Sequence, residues 1–317
     1  MKRPILPQIG RYIIPTNQIE EFVNIVSLWV RQSIPGGLIH GQQRAGKSTA
    51  IARFSELNDD IFKGEVGCIT TEVEPGTVIA AKSFWGGLLR SMNLYVPPAK
   101  SIEARRDLFV GRIIEAASAT ALNKVVVIVD EASLLSEMSW LLLLGVDNQL
   151  RHAHDIDVTW VFVGQPELAD TPSALLGVGR REVVGRFMAD SYGFRELTGH
   201  EDFERALAGF DTIKPEGDSR SLSQRANPKK FAKGWRLRHE HASILQAIQN
   251  SREDNGLVQR DGLKMQAFIR LASHLIVETI PTLGLEDALT EEMIADAILA
   301  TDCLMFERHA ELMQPSV

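Results

Sequence analysis

The chain has 317 residues, 44% hydrophobic and 24% charged, and a net charge of −7 from 34 basic and 41 acidic side chains; it has room for a domain of about 200 residues and a smaller one, and it is not a uniformly basic nucleic-acid binder, although a local basic patch stays open. No apolar run approaches the roughly 20 residues that cross a bilayer, and no hydrophobic segment follows Met1-Lys2-Arg3-Pro4 as in a signal peptide. The two cysteines, Cys68 and Cys303, are far apart and lack metal-ligand spacing, so the expectation is a cytoplasmic protein with reduced thiols and no membrane contact.

The first predicted element is a helix over 17–32. Asn17 is placed to cap it, Glu20 to complete a capping box, and Ile19, Phe22, Val23, Val26 and Val30 to form its apolar face. Pro35-Gly36-Gly37 ends it, Leu38-Ile39-His40 reads as a short strand, and a helix follows a glycine loop from Thr49 to Leu57. A second strand fits Val66–Glu72, and helices fit about Ser83–Asn93 and Ile102–Thr120. Val125-Val126-Val127-Ile128-Val129, five consecutive β-branched residues, predicts a strand buried on both faces. A helix over about Ser139–His152, a buried strand at Val158–Val163 and a fifth strand at Tyr192–Leu197 complete an alternating pattern, which implies a doubly wound α/β parallel sheet. Beyond about residue 200 the pattern turns helical, at 201–209, about 241–250, 263–278 and 290–313, with no further strand. The organisation is therefore a nucleotide-binding αβα core with its N-terminal helix over 1–200 and a mainly helical region over 201–317, interrupted by a basic insertion at about 211–256.

The residues that carry chemistry sit where the strands end. Gly41-Gln42-Gln43-Arg44-Ala45-Gly46-Lys47-Ser48, followed by Thr49, has the spacing of a phosphate-binding loop between a strand and a helix. Backbone N–H groups of such a loop point at phosphate oxygens and the helix adds its positive end. Lys47 would reach the β- and γ-phosphates of ATP, and Ser48 would ligate Mg²⁺. Asp130-Glu131 follows the buried valine strand: Asp130 would hold the metal through water, and Glu131 would act as general base on the attacking water. Gln165, after Phe162-Val163-Gly164, is placed to contact the γ-phosphate or the water, or else is a turn residue before Pro166. Arg186 first, and Arg181 second, could enter a neighbouring subunit's site and stabilise transition-state charge; the alternative is ordinary surface charge.

These motifs resemble those of the AAA+ ATPases, P-loop ATPases with a C-terminal helical lid. Val163-Gly164-Gln165-Pro166-Glu167-Leu168 and Gly185-Arg186-Phe187, with the compact length, look more narrowly like the TnsC/TniB regulators of transposons, including CRISPR-associated ones. An ExeA-like secretion ATPase, or another nucleotide-gated assembly switch, fits the same residues. The transposon resemblance implies slow, assembly-coupled ATP hydrolysis and self-association into rings or filaments on double-stranded DNA. It also implies two protein partners, a transposase of the TnsB type and a target selector of the TniQ/TnsD type. A sensor-2 arginine is not placed by the resemblance; Arg260 and Arg270 stay open.

One stretch adds independent support for DNA. Arg220, Arg225, Lys229, Lys230, Lys233, Arg236 and Arg238 crowd residues 219–239 without an acid, and Trp235 is interleaved for stacking. Lys229, Lys230, Lys233 and Arg236 are the candidate DNA contacts; a solvated loop or a dock for an acidic protein surface are the alternatives. Lys100, Arg105 and Arg106 form a smaller second candidate.

Overall fold

The computed structural model describes residues 12–77, 80–305 and 307–308. The expected lack of a leader at residues 1–7 lies outside the described residues, and so do residues 309–313 of the expected last helix; that helix in fact stops at Thr301, where Asp302 takes left-handed backbone (φ 47°). The chain divides into two compact units. Of the described residues, one comprises Glu21–Gln43 and Lys47–Arg195; the other takes those up to Glu20, Arg44–Gly46 and those from Glu196 onward. No described helix is long and apolar enough to cross a membrane.

The first unit is a five-stranded parallel sheet flanked by helices. In chain order its elements are α1 (Asn17–Arg31, entering from the other unit), β1 (Gly36–His40), α2 (Lys47–Phe62), β2 (Gly67–Glu72), α3 (Ala81–Ser91) and α4 (Ile102–Ser118). They continue with β3 (Lys124–Asp130), α5 (Glu137–His154), β4 (Asp157–Gly164), α6 (Thr171–Gly177), α7 (Arg181–Phe187) and β5 (Asp190–Gly193). The strand order is β2-β3-β4-β1-β5, all neighbours parallel. Val125 to Val129 are fully buried, as a β-branched run covered by helices on both faces requires. Each such side chain contributes about 1.5–3 kcal/mol on burial. Trp140, Trp160, Phe162 and Phe187 form an aromatic cluster beside the sheet, with ring centroids 4.5–6.0 Å apart.

Two glycines let neighbours close onto β1. A Cβ on Gly36 would lie 2.6 Å from Phe187 Cα, and one on Gly37 would lie 2.6 Å from the Trp29 ring. Registers align the carboxyl ends: His40 is level with Gly164 and Gly193, and Asp130 with Glu72. In a sheet of this winding, β1 lies between two strands reached by crossovers of opposite direction, and ligands bind at the carboxyl ends there.

The second unit is helical: α8 (Gly199–Thr212), α9 (Leu222–Ala226), α10 (Pro228–Ala232), α11 (His241–Asp254), α12 (Met265–His274) and α13 (Glu291–Thr301). Leu197-Thr198 (β6) pairs antiparallel with Gly262-Leu263 (β7). Phe203, Leu207, Leu237, Ile244, Phe268, Leu271 and Ile294 are core residues of this unit. The buried Asp202 carboxylate accepts from Asn17 Nδ2 (2.8 Å), Gln18 Nε2 (2.6 Å) and the Thr198 amide (2.8 Å), tying the first described residues to α8. Arg252 and Glu307 form a buried ion pair at 2.8 Å.

Several sequence expectations are corrected here. Thr16, not Asn17, caps α1: its Oγ1 accepts from the Ile19 amide at 3.3 Å. Asn17 is spent on Asp202, and Glu20 pairs with Arg205 instead of closing a capping box. The fifth strand is Asp190–Gly193, and Leu197 belongs to the β6–β7 ribbon, so strand structure does recur after residue 200. The 211–256 segment is not an irregular insertion. It folds into α9, α10 and α11 and buries Leu222, Ala226, Leu237, Ile244 and Ile248 in the core.

Candidate active site

The phosphate-loop sequence leaves β1 at Gly41, whose amide donates to Gly164 O at 3.2 Å. Gly41 is tight: a Cβ there would overlap the Phe194 carbonyl. Arg44 (φ 65°) and Gly46 (φ 110°) take left-handed backbone, which turns the loop back toward α2. Arginine carries a steric cost in that region that glycine does not. α2 begins at Lys47, so Ser48 and Thr49 lie in its first turn.

Lys47 Nζ donates to Gly41 O (2.6 Å) and Gln42 O (2.8 Å), closing the loop on itself. Burial pulls the Lys47 ammonium below its ordinary value, while Asp130, Glu131 and Glu167 act in the opposite direction. Ser48 Oγ donates to Asp130 Oδ2 at 2.8 Å. A hydroxyl and a carboxylate thus converge at the ends of α2 and β3. Hard oxygen donors in this pairing suit Mg²⁺, which takes one or two protein oxygens and completes its shell with phosphates and water. Among the described residues no group of three or more His, Cys, Asp or Glu could hold a metal unaided.

Glu131 follows Asp130 with φ 54°, a left-handed conformation costly for a residue with a Cβ. Its amide donates to Asp130 Oδ1 at 2.9 Å. Such strain concentrates at functional positions held by their surroundings. Gln165 leaves the end of β4. Its amide donates to Ser133 Oγ at 2.6 Å, and its side chain accepts from Gln43 Nε2 at 3.0 Å. Hydrogen bonds thus join Gln43 to Gln165 and Ser48 to Asp130, with Lys47 held on the loop carbonyls next to Ser48 and Glu131 adjoining Asp130.

Two residues of this site were not read from the sequence. Ser133 bridges the turn after β3 to the end of β4, and Gly164 is small to admit it. Glu72 ends β2 in register with Asp130; the residue is exposed, and partial desolvation, with Asp130, Glu131 and Glu74 beside it, raises its carboxyl above the ordinary value. Counting residues to the end of the second strand would have found Glu72.

The two arginines separate. Arg186 Nη1 donates to Asp147 Oδ2 at 2.8 Å, and Asp147 is fully buried. Arg186 is thus held within the sheet unit, with its side chain partly exposed. Arg181, at the start of α7, is exposed and makes no ion pair among the described residues; Arg180 beside it binds Glu137 at 2.7 Å.

Most of the basic stretch is paired within its own unit, and Lys230 is buried there. Arg220 and Arg225 bind Asp218 at 3.0 and 3.4 Å, and the Arg220 hydrogen bonds hold the Asp218 carboxyl down at about 2. Lys230 is buried and donates to the carbonyls of Gly284, Leu285 and Asp287. Lys233 pairs with Glu286 at 2.6 Å. Arg236 stacks 3.6 Å from the Phe231 ring centroid and donates to two carbonyls, and Trp235 is half-buried with its Nε1 on Glu240. Lys229 and Arg238 remain exposed without an ion pair among the described residues. In the smaller candidate, Arg105 is buried against the carbonyls of Pro97, Pro98 and Lys100, and Arg106 binds Gln149. Of the sensor-2 pair, Arg260 lies 3.6 Å from Glu307.

Residues 32–171 match the AAA domain family. The fold is the AAA+ P-loop ATPase fold, and solved structures share it. The Aeropyrum pernix ORC2 protein, in ADPNP and ADP complexes, is similar with TM-score 0.51 and 14% identity, over 97% of this chain and 74% of that one. A Walker-type ATPase of Pyrococcus abyssi is similar with TM-score 0.52 and 12% identity, over 92% and 74%. Drosophila ORC bound to DNA is similar with TM-score 0.51 and 11% identity, over 90% and 67%. No protein of curated function matches the sequence.

Proposed function

We propose that this chain hydrolyses ATP and uses the nucleotide to assemble on duplex DNA, as a transposition regulator of the TnsC/TniB kind. The observation that carries the ATPase reading is the Ser48–Asp130 hydrogen bond, with Lys47 on one side and Glu131 on the other. It joins the phosphate loop to the acid pair in one place, as phosphoryl transfer needs. Mg²⁺ held by Ser48 and, through water, by Asp130 would neutralise charge on the phosphates. Lys47 would exchange its two carbonyl partners for phosphate oxygens. Glu131 would take the proton of the attacking water, and Gln165, fixed by Ser133, would orient that water or the γ-phosphate. Arg181 is the exposed cation available to a neighbouring copy's site.

The narrower reading is supported by the Val163–Leu168 strand ending and Gly185-Arg186-Phe187. Similarity of fold to a complex that is bound to DNA favours the DNA part. In this role the ATP-loaded oligomer would bridge a target selector of the TniQ/TnsD type and a transposase of the TnsB type.

Electron microscopy of the protein with duplex DNA tests the proposal. Rings or filaments are expected with Mg²⁺ and a non-hydrolysable ATP analogue, and not with ADP. Monomers under every nucleotide condition would overturn assembly. Absence of phosphate release from ATP, with or without DNA, would overturn the ATPase reading itself.

A further inference from the structure

Asp147 lies inside α5 with no exposed surface, and donors from two other elements and from its own helix converge on it. Trp160 of β4 donates its Nε1 at 2.8 Å, Arg151 one turn along α5 donates its Nε at 3.0 Å, and Arg186 of α7 donates Nη1 at 2.8 Å. Arg151 also reaches the Val158 carbonyl and Asp157. A buried carboxylate with three donors is a fixed point, because removing a partner leaves charge without compensation. α7 is only seven residues long and exposes Arg181, Glu182 and Gly185. Val183 and Phe187 hold its other face in the core. Its backbone at Phe187 also backs closely onto Gly36, and Arg186 adds to these apolar contacts a directional, charge-assisted one.

We infer that Arg186 is a positioning residue, which through Asp147 fixes α7 and thereby the direction in which Arg181 leaves that helix. The inference rests on the proposed role of Arg181 in a neighbouring copy's site. It removes Arg186 from the catalytic group: its guanidinium holds a helix, and the reacting phosphates meet Arg181. The pairing also gives Asp147, on a different element, a share in turnover that no contact with nucleotide would suggest.

The test compares full-length Arg181→Ala, Arg186→Ala, Arg186→Lys, Asp147→Asn and the Arg181→Ala/Arg186→Ala double variant. ATP turnover is measured with Mg²⁺ and duplex DNA, nucleotide affinity by equilibrium binding, and hydrogen exchange over residues 181–187. Loss of a trans-acting arginine costs about 10³-fold or more in turnover, and Arg181→Ala is expected to show this. Arg186→Ala and Asp147→Asn should each cost a smaller factor, on the order of 10-fold, with nucleotide affinity unchanged. Arg186→Lys should recover part of it, and the double variant should be no slower than Arg181→Ala alone. Both Arg186→Ala and Asp147→Asn should speed amide exchange in 181–187.

Normal turnover in Arg181→Ala, with the large loss in Arg186→Ala, would overturn the inference, as would losses that multiply in the double variant. Unchanged exchange in both Arg186→Ala and Asp147→Asn would overturn the anchor independently of turnover. Arg186→Ala leaves Asp147 its other two donors, so the exchange arm survives if Asp147→Asn fails to fold. A wild-type protein without ATP turnover would sink the proposed function, while exchange would still decide whether Arg186 anchors α7.

Discussion

Ser48 Oγ donates to Asp130 Oδ2 across 2.8 Å, so the first turn of α2 and the last residue of β3 share one hydrogen bond. The bond occupies the two groups that would coordinate a metal. Replacing Ser48 by Ala removes one metal ligand and leaves Lys47 and the loop backbone in place. The expected outcome is a selective loss of Mg²⁺-dependent ATP affinity, of about 1–3 kcal/mol, the range for a hydrogen bond or ligand to a charged group. Titrating labelled ATP with and without Mg²⁺ checks it. Equal affinity of the variant and wild type in Mg²⁺ would remove Ser48 from the metal site.

Gly164 is fixed by Ser133. A Cβ on Gly164 would overlap Ser133 Oγ and lie 2.9 Å from the Ser133 amide nitrogen. Because Ser133 Oγ accepts the Gln165 amide, the serine cannot swing away without losing that bond. Gly164→Ala should therefore destabilise the sheet unit by about 1–3 kcal/mol through overpacking. Adding Ser133→Ala should return less than half of the loss, because the amide nitrogen stays where it is. Denaturant melts of the single and double variants measure both effects.

Glu72 supplies a pH test. Its carboxyl is raised above its ordinary value, by partial desolvation first and then by Asp130, Glu131 and Glu74, although the residue is exposed. A raised acid favours the folded state while it is protonated. Its contribution is present below the unfolded pKa and lost as pH rises through the folded one. Glu72→Gln should hence raise Tm slightly at neutral pH, the effect being screened by solvent at an exposed site, and leave it nearly unchanged at about pH 4. A larger gain at the acid end would reverse the sign and remove Glu72 from the carboxylate cluster.

The basic stretch divides into structural and accessible charges. Lys230→Ala strips three carbonyls of a buried ammonium and should lower the stability of the helical unit by about 1–3 kcal/mol. Lys229→Ala with Arg238→Ala should leave stability within about 0.5 kcal/mol, since both side chains are exposed. If this surface meets DNA, the pair should flatten the log–log salt dependence of binding by roughly 0.9 per lost phosphate contact. An unchanged slope would assign the surface to something other than a duplex.

The legibility of these features follows the range of the interactions behind them. Val125–Val129 was readable because five β-branched residues in a row have few other uses, and Gly41–Ser48 because the spacing itself makes the loop. Asp190–Gly193 was missed as the fifth strand because an edge strand of Asp-Ser-Tyr-Gly has no apolar pattern, while Leu197, which does look buried, pairs instead with Leu263. Lys230 was misread because its carbonyl partners lie more than 50 residues along the chain. Arg186 meets Asp147, 39 residues earlier on another helix, and nothing local in Gly185-Arg186-Phe187 announces that. Local chemistry was visible; long-range charge pairing needed the fold.

Glu131→Gln separates hydrolysis from everything that precedes it. Glutamine keeps the size of the side chain and can still hydrogen-bond a water, but it cannot take the proton. The backbone at this position has φ 54°, and glutamine is no worse there than glutamate, so the turn after β3 should persist. Lys47, Ser48 and Asp130 are untouched, and nucleotide and metal should bind as in wild type. Turnover should fall by about 10²–10⁴-fold, the range for loss of a general base. If ATP binding drives assembly and hydrolysis drives release, the variant should also accumulate as a long-lived oligomer on DNA. The measurement sets phosphate release beside dissociation of labelled duplex in excess ATP. Slow hydrolysis with slow release supports an ATP-timed clamp. Slow hydrolysis with wild-type release breaks the link between turnover and disassembly. Wild-type hydrolysis would show that another group accepts the proton, and Glu72, in register with Asp130 at the end of β2, would be the next to replace.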